Sequence, residues 1–286
     1  FCELLNCSTS STTCNTTCIQ EVPVAEVGHA WNKAANNIEA ILFGNWNHWL
    51  EAVLSWDPVV DGDLVPMDPI DALAQGKFDT SKSVLMGTNA AEGTTFIYAG
   101  LKEKIPTFII EIAWDVIFGS TKNGAKVKAI YNNSIPGPWD DGRDLMSQVI
   151  TDFWFRCASE QFMNAVATDG SSNASAYMYR YDHVYSDSRI FSEFGIPIEC
   201  LNKTCHGAEL PFVFQNTAPT LNATFTPAEI VLSDSFINYW TSFVQFGDPN
   251  HGNKEPIAWP KWDPTSRQNV LLNLATKVES SARMSC

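Results

Sequence analysis

Two side chains able to move a proton follow strand-like runs in this sequence. Glu92 lies just past Ser83-Val-Leu-Met-Gly-Thr88, in the Gly-flanked stretch Asn89-Ala-Ala-Glu-Gly93, and His206 follows Ala176-Tyr-Met-Tyr-Arg-Tyr181, held between Cys205 and Gly207. In an open α/β sheet, working groups sit on loops beyond the carboxyl ends of strands. An acid that precedes a histidine in the chain matches the last two members of a serine, acid, histidine triad on such a sheet. There a neutral imidazole takes the hydroxyl proton, while a carboxylate on its far side fixes the tautomer and stabilises the imidazolium. Spacing alone also fits a surface glutamate and a structural histidine. The other histidines compete poorly: His29 and His48 share a helical stretch with Trp31, Trp46 and Trp49, where packing or surface roles are expected, His183 ends a strand, and His251 lies in a polar loop.

The elements that would carry these groups emerge from periodicity. Val27, Trp31, Ala34, Ala35, Ile38 and Leu42 recur at helical intervals within 24–54, and Pro58-Val-Val-Asp-Gly62 turns the chain. Helices are expected at about 69–76, 107–118, 122–131, 143–167 and 226–246, the last stopped by Gly247-Asp-Pro249. Strands are expected at 83–88, 176–181 and 269–273. Residues 89–93 read as a loop after the first strand, and the segment from 182 to 204 as irregular. Strands alternating with helices indicate an α/β fold with a largely parallel sheet.

Composition narrows the class. The 286 residues are 45% hydrophobic and 17% charged, enough for a packed core, and the net charge of −14 argues against nucleic acid as a partner. Eight cysteines accompany six Asn-x-Ser/Thr sequons at Asn6, Asn15, Asn132, Asn173, Asn202 and Asn222, a pairing that points to an oxidising, glycosylating compartment. A metal site is not expected, because the cluster of Cys200, Cys205 and His206 has no second Cys/His set at ligand spacing. The apolar runs around 41–54 and 105–118 are short and carry Glu51, Glu111 and Asp115, so no transmembrane segment is expected. The polar, four-cysteine start needs disulfides to be ordered. Phe1 follows no Met or basic leader, so residue 1 is expected not to be where translation began.

Five ordered blocks give the sequence a resemblance to the type-B carboxylesterase (cholinesterase/carboxylesterase) family. Pro58-Val-Val-Asp-Gly62 resembles a strand-entry motif of that family, Gly87-Thr-Asn-Ala-Ala-Glu-Gly-Thr-Thr-Phe96 its triad-glutamate loop, and Cys205-His-Gly-Ala-Glu-Leu-Pro-Phe-Val-Phe214 its triad-histidine segment. Tyr239-Trp-Thr-Ser-Phe-Val-Gln-Phe-Gly-Asp-Pro-Asn250 resembles the family's late helix with its stop, and Trp259-Pro-Lys-Trp262 the segment after that helix. The resemblance implies the α/β-hydrolase fold, with residues 1–286 as the C-terminal part of one such domain. It also implies Glu92 and His206 as catalytic acid and base, with Glu209 and Asp152 supporting the histidine region. It further implies disulfides Cys7–Cys18 and Cys157–Cys286, which leaves Cys2 with Cys14 and Cys200 with Cys205.

In that family a Gly-x-Ser-x-Gly elbow and a glycine pair supply the nucleophile and oxyanion hole. This sequence has neither pattern among its 16 glycines. The resemblance places both in an N-terminal half, expected as a separate chain cut from the same precursor or as a portion outside this sequence. Without it these residues are expected to be inactive. The implied reaction is hydrolysis of a small ester or a lipid, needing no cofactor, in a secreted protein or in the lumen of the secretory pathway. Thr95 stands where cholinesterases place a cation-binding aromatic residue, and Ala52-Val-Leu-Ser-Trp56 is less aromatic than the acyl pocket of acetylcholine-selective relatives. A general esterase or lipase is thus favoured over a cholinesterase. Non-catalytic members of the same fold, serving adhesion or storage, are the alternative.

Overall fold

The computed structural model describes residues 2–10, 13–35, 58–118, 120–131, 137–138, 140–168, 174–189, 196–215, 224–252 and 254–280. Helices α1 (Thr16–Glu21), α2 (Val24–Ala35) and α3 (Pro69–Ala74) precede strand β1 (Val84–Asn89). Then come α4 (Glu92–Gly100), α5 (Thr107–Ile117), α6 (Thr121–Tyr131) and α7 (Arg143–Ile150). A π-helical turn, Thr151–Arg156, joins α7 to α8 (Cys157–Thr168). Strand β2 (Ala176–Tyr181), α9 (Leu210–Phe214), α10 (Pro227–Phe246), β3 (Gln268–Leu272) and β4 (Lys277–Ser280) complete the order. None of the described helices is long and apolar enough to cross a membrane.

The chain divides into two compact units, residues 1–66 with 111–127 and residues 67–110 with 128–286. In the first, disulfides Cys2–Cys14 and Cys7–Cys18 hold the polar N-terminal loop. Cys7 is buried, its carbonyl accepts the Asn15 N–H, and the Asn15 side chain caps α1 by accepting the Cys18 N–H. Sulfur thus orders the segment as its composition requires, although it also contains a helical turn that the sequence does not announce. The expected helix over 24–54 is described only as far as Ala35; His48, Trp46, Trp49 and Trp56 lie outside the described residues.

The second unit contains the sheet. β1 pairs parallel to β2 and β2 parallel to β3, while β4 returns antiparallel on β3, giving the order β1-β2-β3-β4. The twofold alternation of β2 sets its layers. Tyr177 and Tyr181 enter a core with Phe212 of α9, Phe236 and Tyr239 of α10, Trp259 and Leu272. Ala176 and Met178 face the opposite way, into a cluster with Met163 and Val166 of α8 and Trp262. Helices therefore cover both faces, as a mostly parallel sheet requires. Sequence periodicity does not predict β4; its pattern is exposed, and it owes its order to pairing with β3.

Helix α10 carries its start and stop in its own residues. Thr226 Oγ1 accepts the Glu229 N–H, Glu229 accepts the Thr226 N–H, Pro227 fills the first turn, and Gly247 ends the helix at φ 70°. Burial opposes ionisation of Glu229. Even so, N–H groups of Thr226 and Ser186, the Thr226 hydroxyl and the His183 ring hold its carboxyl down at about 2. Because the folded value lies below the ordinary 4.5, this contribution is complete above pH 4.5 and is lost as pH falls through about 2. Replacing Thr226 by Ala in the full-length protein is expected to cost about 0.5–2 kcal/mol in urea unfolding at neutral pH. An unchanged midpoint and slope would show that the cap does not hold α10.

Candidate active site

Parallel pairing puts the ends of β1 and β2 side by side: Asn89 stands opposite Tyr181. Beyond that level two backbone bonds stitch the chain segments together. Ala90 N–H donates to the Tyr181 carbonyl at 3.0 Å, and Ala91 N–H donates to the Thr204 carbonyl at 2.9 Å. Glu92 comes one residue after this stitch and His206 two residues after it, so the stitch delivers them to each other. His206 Nδ1 lies 2.6 Å from Glu92 Oε2, and the Asn89 main-chain N–H donates to Glu92 Oε1 at 2.6 Å.

Glu92 is not in a loop, as the sequence reading expects, but is the first residue of α4. An acidic residue suits the first turn of a helix, where the dipole favours negative charge. The turn must be tight, because α4 crosses α7 closely: a Cβ on Gly93 would stand 2.2 Å from the Ser147 carbonyl oxygen and 2.9 Å from Ile150 Cβ. Thr151 fixes the crossing by donating to the Ser147 carbonyl and accepting the Gly93 N–H. His206 is placed by a disulfide, Cys200–Cys205, that closes the turn before it. Gly207 comes next at φ 80°, a conformation that suits glycine.

The expected single helix over 143–167 is interrupted by the π-turn Thr151–Arg156. A π-turn adds a residue to one helical turn, which rotates the residues after it by roughly 100°. It leaves Phe155 against His206, ring centroids 5.3 Å apart, with Phe96 of α4 at 5.1 Å from the same imidazole and 5.7 Å from Phe155. Two aromatic rings thus pack on the imidazole of a histidine whose side chain is still 50% exposed, while Glu92 is 6% exposed.

The Glu92 bond raises the His206 pKa above its ordinary 6.5; burial opposes the rise, and the charges of Glu92 and Glu209 add to it. With Nδ1 directed at a carboxylate, Nε2 is the nitrogen left to exchange a proton with a substrate group. Glu209 reaches the pair through Asn89, whose Nδ2 donates to Glu209 Oε2 at 2.5 Å and to the Cys205 carbonyl at 2.9 Å. Asp152 is engaged elsewhere: the Tyr131 hydroxyl donates to it at 2.8 Å, Arg156 lies 3.9 Å away, and burial raises its pKa. Its link to the site is positional, through the π-turn it shares with Phe155. Sequence reasoning does not single out Asn89, Thr151 or Phe155. All three lie in or beside motifs the sequence makes conspicuous, but no residue-type pattern separates them from packing.

A second histidine–glutamate couple, His183 Nε2 to Glu229 Oε1 at 2.9 Å, is closed off, with His183 at 8% and Glu229 at 0% exposure. Glu229 is committed to capping α10, so this couple holds the fold rather than a substrate. His251 packs against Phe246 in a tilted arrangement, 3.9 Å between centroids, and His29 is exposed on α2. No group of His, Cys, Asp and Glu suited to hold a metal occurs among the described residues. Cys200 and Cys205 are bonded to each other. The Cys157–Cys286 pairing falls partly on residue 286, outside the described residues, as do the sequons at Asn132, Asn173 and Asn222. Asn6, Asn15 and Asn202 are exposed.

A mostly parallel sheet with helices on both faces and an acid–imidazole couple at the carboxyl ends of adjacent strands defines a protein of the α/β-hydrolase fold. The same fold is seen in PNB esterase, which aligns over 92% of this chain and 48% of its own, with TM-score 0.65 and 19% identity. A sequence profile described as the carboxylesterase family matches residues 1–285, and the chain belongs to that family.

Among curated relatives, crystal protein of Dictyostelium discoideum is 30% identical over 76% of this chain and 37% of its own length. The cAMP-regulated D2 protein of the same organism is 29% identical over 81% and 40%. Acetylcholinesterase of Bungarus fasciatus is 28% identical over 79% and 38%. The chain thus spans well under half the length of the curated relatives it matches.

The raised His206 pKa has a thermodynamic consequence. A folded value above the unfolded one adds stability in full below pH 6.5, and that stability is lost as pH rises through the folded value. Replacing Glu92 by Gln is expected to return the His206 pKa toward 6.5, read by histidine 13C NMR titration. An imidazole that titrates identically in both proteins would mean that the pair does not form in solution.

Proposed function

We propose that this chain supplies the acid and base of a serine esterase: Glu92 orients His206, and His206 Nε2 carries the proton. The observation that carries the reading is the 2.6 Å bond from a buried Glu92 to a half-exposed His206 in a carboxylesterase-family chain. A serine from an N-terminal half attacks the ester carbonyl as Nε2 accepts its proton. The proton passes to the departing alcohol, and water, deprotonated by His206, then releases the acid from the acyl-enzyme. The oxyanion hole also comes from that half. Residues 1–286 are accordingly the C-terminal part of one α/β-hydrolase domain. This is supported by the relatives' greater length and by the position of β1, an apolar strand, at the edge of the sheet.

Substrates are small esters or lipids rather than choline esters. Thr95, in the place of a cation-binding ring, has its hydroxyl 3.8 Å from Cys200 Sγ, and the neighbouring aromatic residue, Phe96, packs on His206. The disulfides and sequons support passage through the secretory pathway, with glycans at exposed Asn6, Asn15 and Asn202. No cofactor enters the scheme. A second reading, a non-catalytic secreted module, draws on the name of one relative, crystal protein, which denotes no catalysis.

A fluorophosphonate probe separates the two. The full-length protein is expected to be labelled, and His206→Ala to lose about 10⁴-fold or more in kcat/KM while still being secreted. Absence of labelling beside a reactive control esterase would sink the enzyme reading. Whether the two halves are separate chains is decided by mass spectrometry of non-reduced and reduced protein. Two polypeptides are expected, and a single uncut chain of about 60 kDa, scaled from this 31.7 kDa portion, excludes the cleavage.

A further inference from the structure

Asn89 ends β1 at the place where the acid and base segments meet, and the triad scheme gives it no role. Its side chain is buried, the residue being 2% exposed. Nδ2 donates to the Cys205 carbonyl at 2.9 Å and to Glu209 Oε2 at 2.5 Å, while the main-chain N–H of the same residue donates to Glu92 Oε1 at 2.6 Å. One residue therefore holds the acid, the peptide group just before the base, and the nearby second carboxylate.

The chemistry of the two side-chain partners selects the residue type. A carbonyl and a carboxylate are both acceptors, so the amide must present its NH2 to them; turned over, Oδ1 would face two acceptors. Two acceptors on one side need two hydrogens from one short, neutral group. Asn has them, Ser and Thr have one, and Asp has none. Oδ1 is left buried without a partner, a cost that the clamp on the other side offsets. The backbone stitch between the segments ends at the Thr204 carbonyl. The next carbonyl, that of Cys205, accepts the Ala208 N–H of its own turn at 3.1 Å, and across the segments it is held by Asn89.

We propose that Asn89 is a positioning residue for His206, fixing the Cys205 peptide and the Glu209 carboxylate so that Nδ1 stays within bonding distance of Glu92. The inference rests on the esterase reading for its effect on turnover, and on geometry alone for its effect on the imidazole. The titratable groups facing His206 are Glu92 and Glu209, with Tyr179 beside both carboxylates. Releasing Glu209 and the Cys205 peptide loosens the Nδ1 bond and returns the imidazole toward its ordinary basicity.

The test uses the full-length protein with Asn89→Ala and the nearly isosteric Asn89→Asp. Histidine 13C NMR reads the His206 pKa, and hydrolysis of a p-nitrophenyl ester gives kcat and KM. Asn89→Ala is expected to lower the His206 pKa toward 6.5. Both variants are expected to lose about 10–100-fold in kcat with KM changed less than about 3-fold, the scale of a sub-ångström to ångström misplacement. Variants that melt earlier but keep the wild-type pKa and kcat would assign Asn89 to packing and overturn the proposal; so would an active Asn89→Asp, since it keeps shape without donors. If the wild-type protein hydrolyses nothing, the esterase reading fails, and the His206 pKa in Asn89→Ala still decides whether Asn89 positions the imidazole.

Discussion

The register between β1 and β2 is the constraint on which the site depends. Because Asn89 stands opposite Tyr181, the two strands end at one level, and the Ala90–Tyr181 and Ala91–Thr204 bonds carry that level into the connections. A slip of one residue would turn Tyr177 and Tyr181 away from the α9 and α10 core and exchange them with Ala176 and Met178. The cost of misplacing those buried rings is what guards the register. The acid–base distance is thus set by hydrophobic packing in the middle of the sheet rather than by local preferences at Glu92 or His206.

Around the carboxyl ends, close approach depends on residues that yield space. Gly93 lets α4 reach the Ser147 carbonyl, and the Thr151 hydroxyl ties the two helices together, taking the Gly93 N–H and giving its own hydrogen to the Ser147 carbonyl, which also accepts the Thr151 main-chain N–H. The π-turn begins at that same threonine. Helix crossing and aromatic packing are consequently one device: the turn that accommodates α4 also brings Phe155 to the imidazole.

Legibility of the fold in the sequence divides along physical lines. β1, β2, β3 and α10 are readable because apolar runs of strand length, the alternation within β2 and the Gly stop of α10 act locally, and Glu92 and His206 stand out through ordered motifs that resemble the family's. The start of α4 at Glu92 is not, because Ala91 supplies no side-chain cap and the residues there look like a glycine-flanked loop. The π-turn is hidden inside a continuous helical pattern, since nothing in Thr-Asp-Phe-Trp-Phe-Arg announces an extra residue per turn. Strand β4 is invisible because its order comes from pairing with β3. Asn89 carries a strand-ending residue type, and only the placement of Cys205 and Glu209, both more than a hundred positions later, gives its amide a purpose.

The two histidine–glutamate couples show how one chemical pair is assigned opposite tasks. Glu229 receives Thr226, Ser186 and His183, so its charge is absorbed within the fold and its pKa is held at about 2. Glu92 receives one backbone N–H and the His206 ring. Burial completes the distinction. His183 is closed off from solvent, whereas His206 has a buried carboxylate behind it and an exposed face in front. That asymmetry, and not the presence of a glutamate beside a histidine, is what supports the proposal of His206 as the base.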